Sequence, residues 1–170
     1  MTIKKYTYIL LFLFCSFPLI AQKPNTQKLS KKERKQAEKF EKIKTNLENQ
    51  TFSYNAKWSI YESKRTKMSM AGYSYIKLKG NTMSSSLVYH GKLNGQYVED
   101  LHDSLIRIAS EISNYSITYK DNGNTIIASL NVKQNSEKYD IEITASRGNP
   151  VILKLTSNNR EPVTYEGVIR

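Results

Sequence analysis

Between Ser113 and Ile169 the chain alternates apolar and polar residues with period two, in five successive runs joined by short polar links. The apolar positions are Tyr115, Ile117 and Tyr119; then Ile126, Ala128, Leu130 and Val132; then Tyr139, Ile141, Ile143 and Ala145. Val151, Leu153 and Leu155 follow, and Val163, Tyr165 and Ile169 close the series. Successive Cβ atoms of a strand point to opposite faces, so each run places its apolar set on one side. Most of these residues are β-branched or aromatic, the types that strands favour.

The links are turn chemistry. Asp121-Asn122-Gly123-Asn124 holds an Asn-Gly pair, which suits positive φ and marks a hairpin. Gln134 to Glu137, Arg147-Gly148-Asn149-Pro150 and Asn158 to Pro162 are also short and turn-like. Links of this length join only antiparallel neighbours, because a parallel crossover needs a dozen or more residues. The five runs therefore predict an antiparallel meander with one apolar face, which must be covered or curl on itself.

Upstream, Phe52, Tyr54, Ala56, Trp58 and Ile60 alternate cleanly and predict a first core strand with all five facing inward. Tyr61 to Gly72 reads as a polar loop. Tyr73 to Lys79 and Met83 to His90 predict two more strands around Gly80-Asn81. Residues 104–112 are ambiguous. Leu105, Ile108 and Ile112 have helical spacing, yet Ile106 and Ile108 flank Arg107 in a β-branched run, and a strand at about 104–109 is the preferred reading. The predicted fold is all-β: an antiparallel, mostly up-and-down meander of eight or nine strands, forming a barrel or a sandwich, with one N-terminal helix outside it. A barrel would remove exposed edges.

Three segments divide the 170 residues: 1–21, 22–50 and 51–170. In the first, Lys4 and Lys5 precede an apolar run from Tyr8 to Ile20 that ends at Ala21-Gln22, the pattern of a signal peptide cut near Ala21. The run is short for a membrane span, and an uncleaved anchor is the alternative. A periplasmic or secreted protein follows. Leu13 and Phe14 precede Cys15 where a lipoprotein signal needs small residues. Cys15 is the one cysteine, so the processed chain has no thiol for disulfides, thiolate catalysis or cysteine-bound zinc.

Residues 23–50 hold nine Lys/Arg and four Glu. Ala37, Phe40, Ile43 and Leu47 fall three to four apart, Ser30 with Glu33 makes a capping-box pattern, and Glu38–Lys42 is a favourable pair. These predict a helix from Ser30 to Asn49. Lys31, Lys32, Arg34 and Lys35 crowd its positive end, so its first turn is expected to fray. The plainer reading of this arm is a solvated spacer; the functional one is attachment to an anionic envelope surface. The formal charge is +11, but residues 51–170 carry 15 basic against 11 acidic side chains and no basic patch interleaved with aromatics, so no nucleic-acid partner is expected.

Two runs then carry a resemblance. Leu87-Val88-Tyr89-His90-Gly91 is similar to the Leu-Pro-Tyr-Phe-Gly signature of domain-of-unknown-function family 4251. Ser157-Asn158-Asn159-Arg160, followed by Pro162-Val163-Thr164-Tyr165 and Gly167, resembles that family's closing motif. The Phe52-Ser53-Tyr54-Asn55-Ala56 strand behind a charged helix and a signal peptide fits as well, over roughly residues 36–169. The resemblance implies an exported protein of Bacteroidetes-type bacteria with no assigned activity, and favours a strand at 104–109. Val88 stands in place of the usual proline and His90 in place of the usual phenylalanine.

Catalytic patterns are thin. His90 and His102 are the only side chains that titrate near neutrality. Ser104, His102 and Asp103 are adjacent in sequence, which is not triad geometry, and no Gly-x-Ser-x-Gly elbow is present. No carboxylates stand at ligand spacing from either histidine, so neither a metal nor any other cofactor is expected, and no phosphate loop occurs. Glu142, Glu161 and Glu166 read as outward strand or turn residues. The twelve tyrosines are core or rim residues, or line a ligand cavity. The first functional expectation is non-catalytic binding of a small or lipid-like ligand within or at the mouth of a barrel, with Tyr89 and His90 as candidate contacts. The alternative is an envelope module that binds protein or glycan through its surface and basic arm; an enzyme ranks last.

Overall fold

A computed structural model describes residues 30–64, 66–70, 74–98 and 104–170. Helix α1 spans Lys31–Glu48. The strands are β1 (Thr51–Tyr61), β2 (Lys67–Ser69), β3 (Tyr75–Lys79), β4 (Thr82–Val88), β5 (Lys92–Leu93) and β6 (Gln96–Tyr97). There follow β7 (Leu105–Lys120), a short 3-10 turn (Asp121–Gly123), β8 (Thr125–Gln134), β9 (Glu137–Ser146), β10 (Val151–Ser157) and β11 (Val163–Ile169).

The five C-terminal runs form the predicted meander. Strands β7 to β11 pair in sequence order, each antiparallel to the last. On the other side β7 pairs β4, β4 pairs β3 and β3 pairs β1. Pairing of β1 with β11, from Tyr54–Ile169 to Tyr61–Val163, closes an eight-stranded antiparallel barrel. The sheet therefore resolves into a barrel, not a sandwich. Short β2 adds to the far half of β1, and β5–β6 is a separate hairpin.

An eight-stranded barrel has an interior just wide enough for side chains to fill. Tyr54, Tyr61, Tyr89, Tyr165, Ile76, Met83, Ile106, Ile126, Ile143 and Leu153 are all fully buried. Two bulges explain where the alternation misleads. In β7 the register against β8 shifts between Ser113 and Ser116, with Asn114 at φ 53°. The covered positions change from the even Ile106, Ile108 and Ile112 to the odd Tyr115 and Ile117, while Tyr119, of the same parity, is exposed at the strand's end. That change of parity makes one sixteen-residue strand read as two, and the barrel has eight strands, within the eight or nine expected.

The second bulge lies in β1 between Ala56 and Trp58, opposite β11. Phe52, Tyr54 and Ala56 face inward as predicted, but beyond the bulge the inward residues are Ser59 and Tyr61. Trp58 is turned out, 40% exposed, with the Lys67 ammonium over its ring at 5.3 Å. Its assignment to the core is thus corrected. An extra residue in one strand reverses which parity faces inside.

Helix α1 occupies nearly the predicted span, and it is not a solvated spacer. Phe40 and Leu47 are buried against the barrel, at 4% and 0% exposure.

Candidate functional site

The register gives the barrel two distinct ends. At one lie the start of β1, the β3–β4 turn, the β9–β10 turn and the end of β11. Helix α1 lies across this end and is tied at both of its own. The Tyr115 hydroxyl donates to the Leu47 carbonyl at 2.6 Å, and the Tyr119 hydroxyl to the Glu48 carboxylate. Burial pushes Tyr115 up to about 12. Near the helix start, the Arg147 guanidinium donates to the Glu33 carbonyl at 3.4 Å. The backbone follows suit after the helix: Gly80 N–H donates to the Gln50 carbonyl at 2.9 Å.

Between these ties the helix stands off the strand ends and leaves a cleft of about 750 Å³. That volume falls within the usual range for small-molecule sites. Gln36, Lys39, Phe40, Ile43 and Asn46 form its helical wall, a stripe set by the helical repeat. The facing wall is Gly148 to Val151 together with Gly167 to Arg170. Its floor is mostly hydrocarbon from Phe40, Ile43, Pro150, Val151 and Ile169. Lys39, Lys42 and Arg170 stand at the rim, exposed, and no Asp or Glu is among the lining residues. Gly148, at φ +83°, lies close under the helix; a Cβ there would sit 3.4 Å from the Gln36 side chain.

The opposite end is closed by tyrosines. The rings of Tyr61 and Tyr89 meet edge to face at 5.5 Å. The Tyr89 hydroxyl donates to the Lys92 carbonyl at 2.6 Å and lies 3.2 Å from that of Glu161. The Tyr165 hydroxyl donates to the Val88 carbonyl at 3.0 Å, and the Tyr61 hydroxyl accepts from the His90 N–H at 2.8 Å. Arg160 lies over the Tyr89 ring at 5.1 Å and pairs with Glu137 at 3.0 Å, both side chains largely buried. The β5–β6 hairpin is bound to the closing loop through Asn94 N–H to Asn159 carbonyl at 2.8 Å and Glu161 N–H to Lys92 carbonyl at 2.8 Å.

Burial, and then the Glu161 charge, raise the Tyr89 hydroxyl far above the usual tyrosine range. Burial raises Tyr165 well above that range too, and also raises Tyr61. These hydroxyls stay protonated through neutrality; those of Tyr89 and Tyr165 donate to fixed carbonyls, and that of Tyr61 accepts from a fixed N–H. Burial alone would raise Glu161, but hydrogen bonds from Ser63 and Lys92 hold it below the usual carboxylate range.

Of the sequence-derived candidates, Tyr89 is fully buried in this lock. His90 is half-buried, and its carbonyl accepts from the Lys64 ammonium at 3.1 Å. Both sit at the end away from the cleft and neither lines it. His102 and Asp103 lie outside the described residues. Glu161 is bound to backbone N–H groups, Glu166 pairs with Lys67, and Glu142 is exposed on β9 across from Lys154. Among the described residues no three His, Cys, Asp or Glu side chains gather where they could hold a metal ion.

The two motif runs meet in space. Gly91 leaves room for the Tyr89 phenol, since a Cβ there would be 2.6 Å from its hydroxyl. At Gly167 a Cβ would be 2.2 Å from the Asn55 carbonyl and 2.8 Å from the Tyr54 hydroxyl. Leu87, Tyr89, Gly91, Arg160, Tyr165 and Gly167 thus lock the barrel. The family described as a domain of unknown function (DUF4251) matches residues 34–169. The chain belongs to this family. A crystal structure of a DUF4251 family protein from Bacteroides eggerthii DSM 20697 matches it with a TM-score of 0.64 at 13% identity, covering 81% of this chain and 90% of that one. At that identity the likeness is one of fold. No curated protein matches the chain.

Sequence reasoning found the DUF4251 motifs and missed the cleft. The missed residues are Gln36, Lys39, Ile43 and the two facing strand ends. One signal pointed there: an amphipathic helix directly before β1 has to set its apolar stripe against something.

Proposed function

We propose that this DUF4251 member is an exported, non-catalytic binding protein that holds a small, lipid-like ligand in the cleft between α1 and the ends of β10 and β11. The observation that carries this reading is the cleft itself, about 750 Å³ with an apolar floor, at the mouth of a barrel whose interior is filled by its own side chains. Export is supported by the Lys4-Lys5, Tyr8–Ile20 and Ala21 pattern, with cleavage after Ala21. The test is native mass spectrometry of protein purified from the periplasm. A reproducible extra mass that is lost on denaturation and absent from Ile43→Trp supports the reading. A bare processed chain, or an adduct that Ile43→Trp retains, contradicts it.

A second reading has its own observation. Lys31, Lys32, Lys35 and Lys39 share one exposed patch on α1. Such a stripe would draw the protein to an anionic envelope surface. Reversing Lys31, Lys32 and Lys35 to Glu should then release it from the envelope fraction; unchanged fractionation removes the idea.

A further inference from the structure

From the lining chemistry of the cleft we infer that its occupant is a single-chain amphiphile with an anionic head, a carboxylate or a phosphate, taken up as a free molecule and not as part of a bilayer. This inference rests on the binding role proposed above and goes further, to the chemistry of the ligand.

The cleft sorts its two halves by chemistry. Phe40, Ile43, Val151 and Ile169 offer hydrocarbon and no group that would pair with a polar chain. Lys39, Lys42 and Arg170 stand where that hydrocarbon meets solvent. Three cations and no Asp or Glu line the cleft, so the charge that faces into it is of one sign, although Glu38 and Glu41 stand next to Lys39 and Lys42 on the outer face of the helix. A neutral head brings these cations no opposite charge inside the cleft, whereas a carboxylate or phosphate gains charge-assisted hydrogen bonds from them. The potential also reaches outward. Lys39 and Gln36 belong as well to the shallow patch of Lys31, Lys32 and Lys35, so the basic stripe leads to the cleft and steers anions towards it.

The helix itself argues for a free molecule. An interfacial helix lies in a bilayer by presenting its apolar face outward. In α1 that face is turned in, with Phe40 and Leu47 buried and the C-terminal turn held by Tyr115. The slot beside Ile43 and Asn46 stays open, bounded by the β9–β10 turn on one side and the end of β11 on the other.

The experiment is calorimetric titration of the processed protein with dodecanoate, dodecyl phosphate, dodecanol and butyrate. Dodecanoate and dodecyl phosphate should bind one to one. Dodecanol should bind roughly two- to fivefold more weakly, as expected for loss of one rim ion contact. Butyrate should not bind. The Lys39→Glu/Lys42→Glu double variant, altered only at exposed positions, should lower dodecanoate to the level of dodecanol. Ile43→Trp should abolish binding of every chain; if that variant does not fold, Asn46→Trp, half-buried in the same wall, replaces it. Equal affinity for dodecanol and dodecanoate would overturn the anionic head and leave the cleft standing. Binding untouched by both filling variants, or no binding of any chain, would overturn the cleft as well. Sedimentation with anionic phospholipid vesicles in the absence of monomer binding would overturn the free-molecule assignment in favour of a membrane surface.

Discussion

Gly167 and Trp58 show how much turns on single positions. Gly167 faces into the barrel at the β1–β11 seam, opposite Ala56, and the Tyr54 phenol occupies the space a side chain would need. A methyl group there meets the Asn55 carbonyl, which is backbone and cannot swing aside. Gly167→Ala should therefore cost about 2–3 kcal/mol, read as a lower urea midpoint with an unchanged slope. Trp58 is the only tryptophan, and the bulge beside it turns it outward. Trp58→Ala should cost under about 1 kcal/mol, while Phe52→Ala costs about 3–5. The wild-type emission should already be that of a wetted indole.

The buried tyrosines give a pH prediction. Burial raises Tyr61, Tyr89, Tyr139 and Tyr165 in the folded state above their ordinary value of 10.0. Their contribution is fully present below pH 10 and is lost as pH climbs past it, because the unfolded chain then releases protons that the folded one retains. Denaturant melts should show a flat plateau up to about pH 10 and a decline above it. The family motifs were visible in the sequence as runs of letters. What Tyr89, Arg160 and Gly167 do was not, since each acts on a residue more than seventy positions away.

At the scale of elements, β8 to β11 were legible because hairpin neighbours pair locally and their turns carry Asn, Gly and Pro. Strand β7 was read as two because its bulge reverses the inward parity at Ser113 to Ser116. Helix α1 was legible in extent but not in its partner, which comes from β7, the β9–β10 turn and the end of β11. Its Leu47 is fully buried and its last turn is held by Tyr115. Leu47→Ala should destabilise the whole fold by about 2–5 kcal/mol, in one cooperative transition. A separate early melt of a detached helix would contradict the packing described here.

Over the whole molecule, closure of β1 on β11 joins the two ends of the barrel sequence, and no local pattern announces such a pairing. It creates the two unlike ends. One is sealed by tyrosines and the β5–β6 hairpin; the other lies under α1, where the cleft remains. The measurement that bears most directly on this account is amide chemical-shift mapping of the processed protein titrated with dodecanoate. Shifts should concentrate at Phe40, Ile43, Val151 and Ile169, with Tyr61, Tyr89 and Tyr165 unmoved. Shifts centred on Tyr89 and His90, or spread evenly over the barrel, would contradict it.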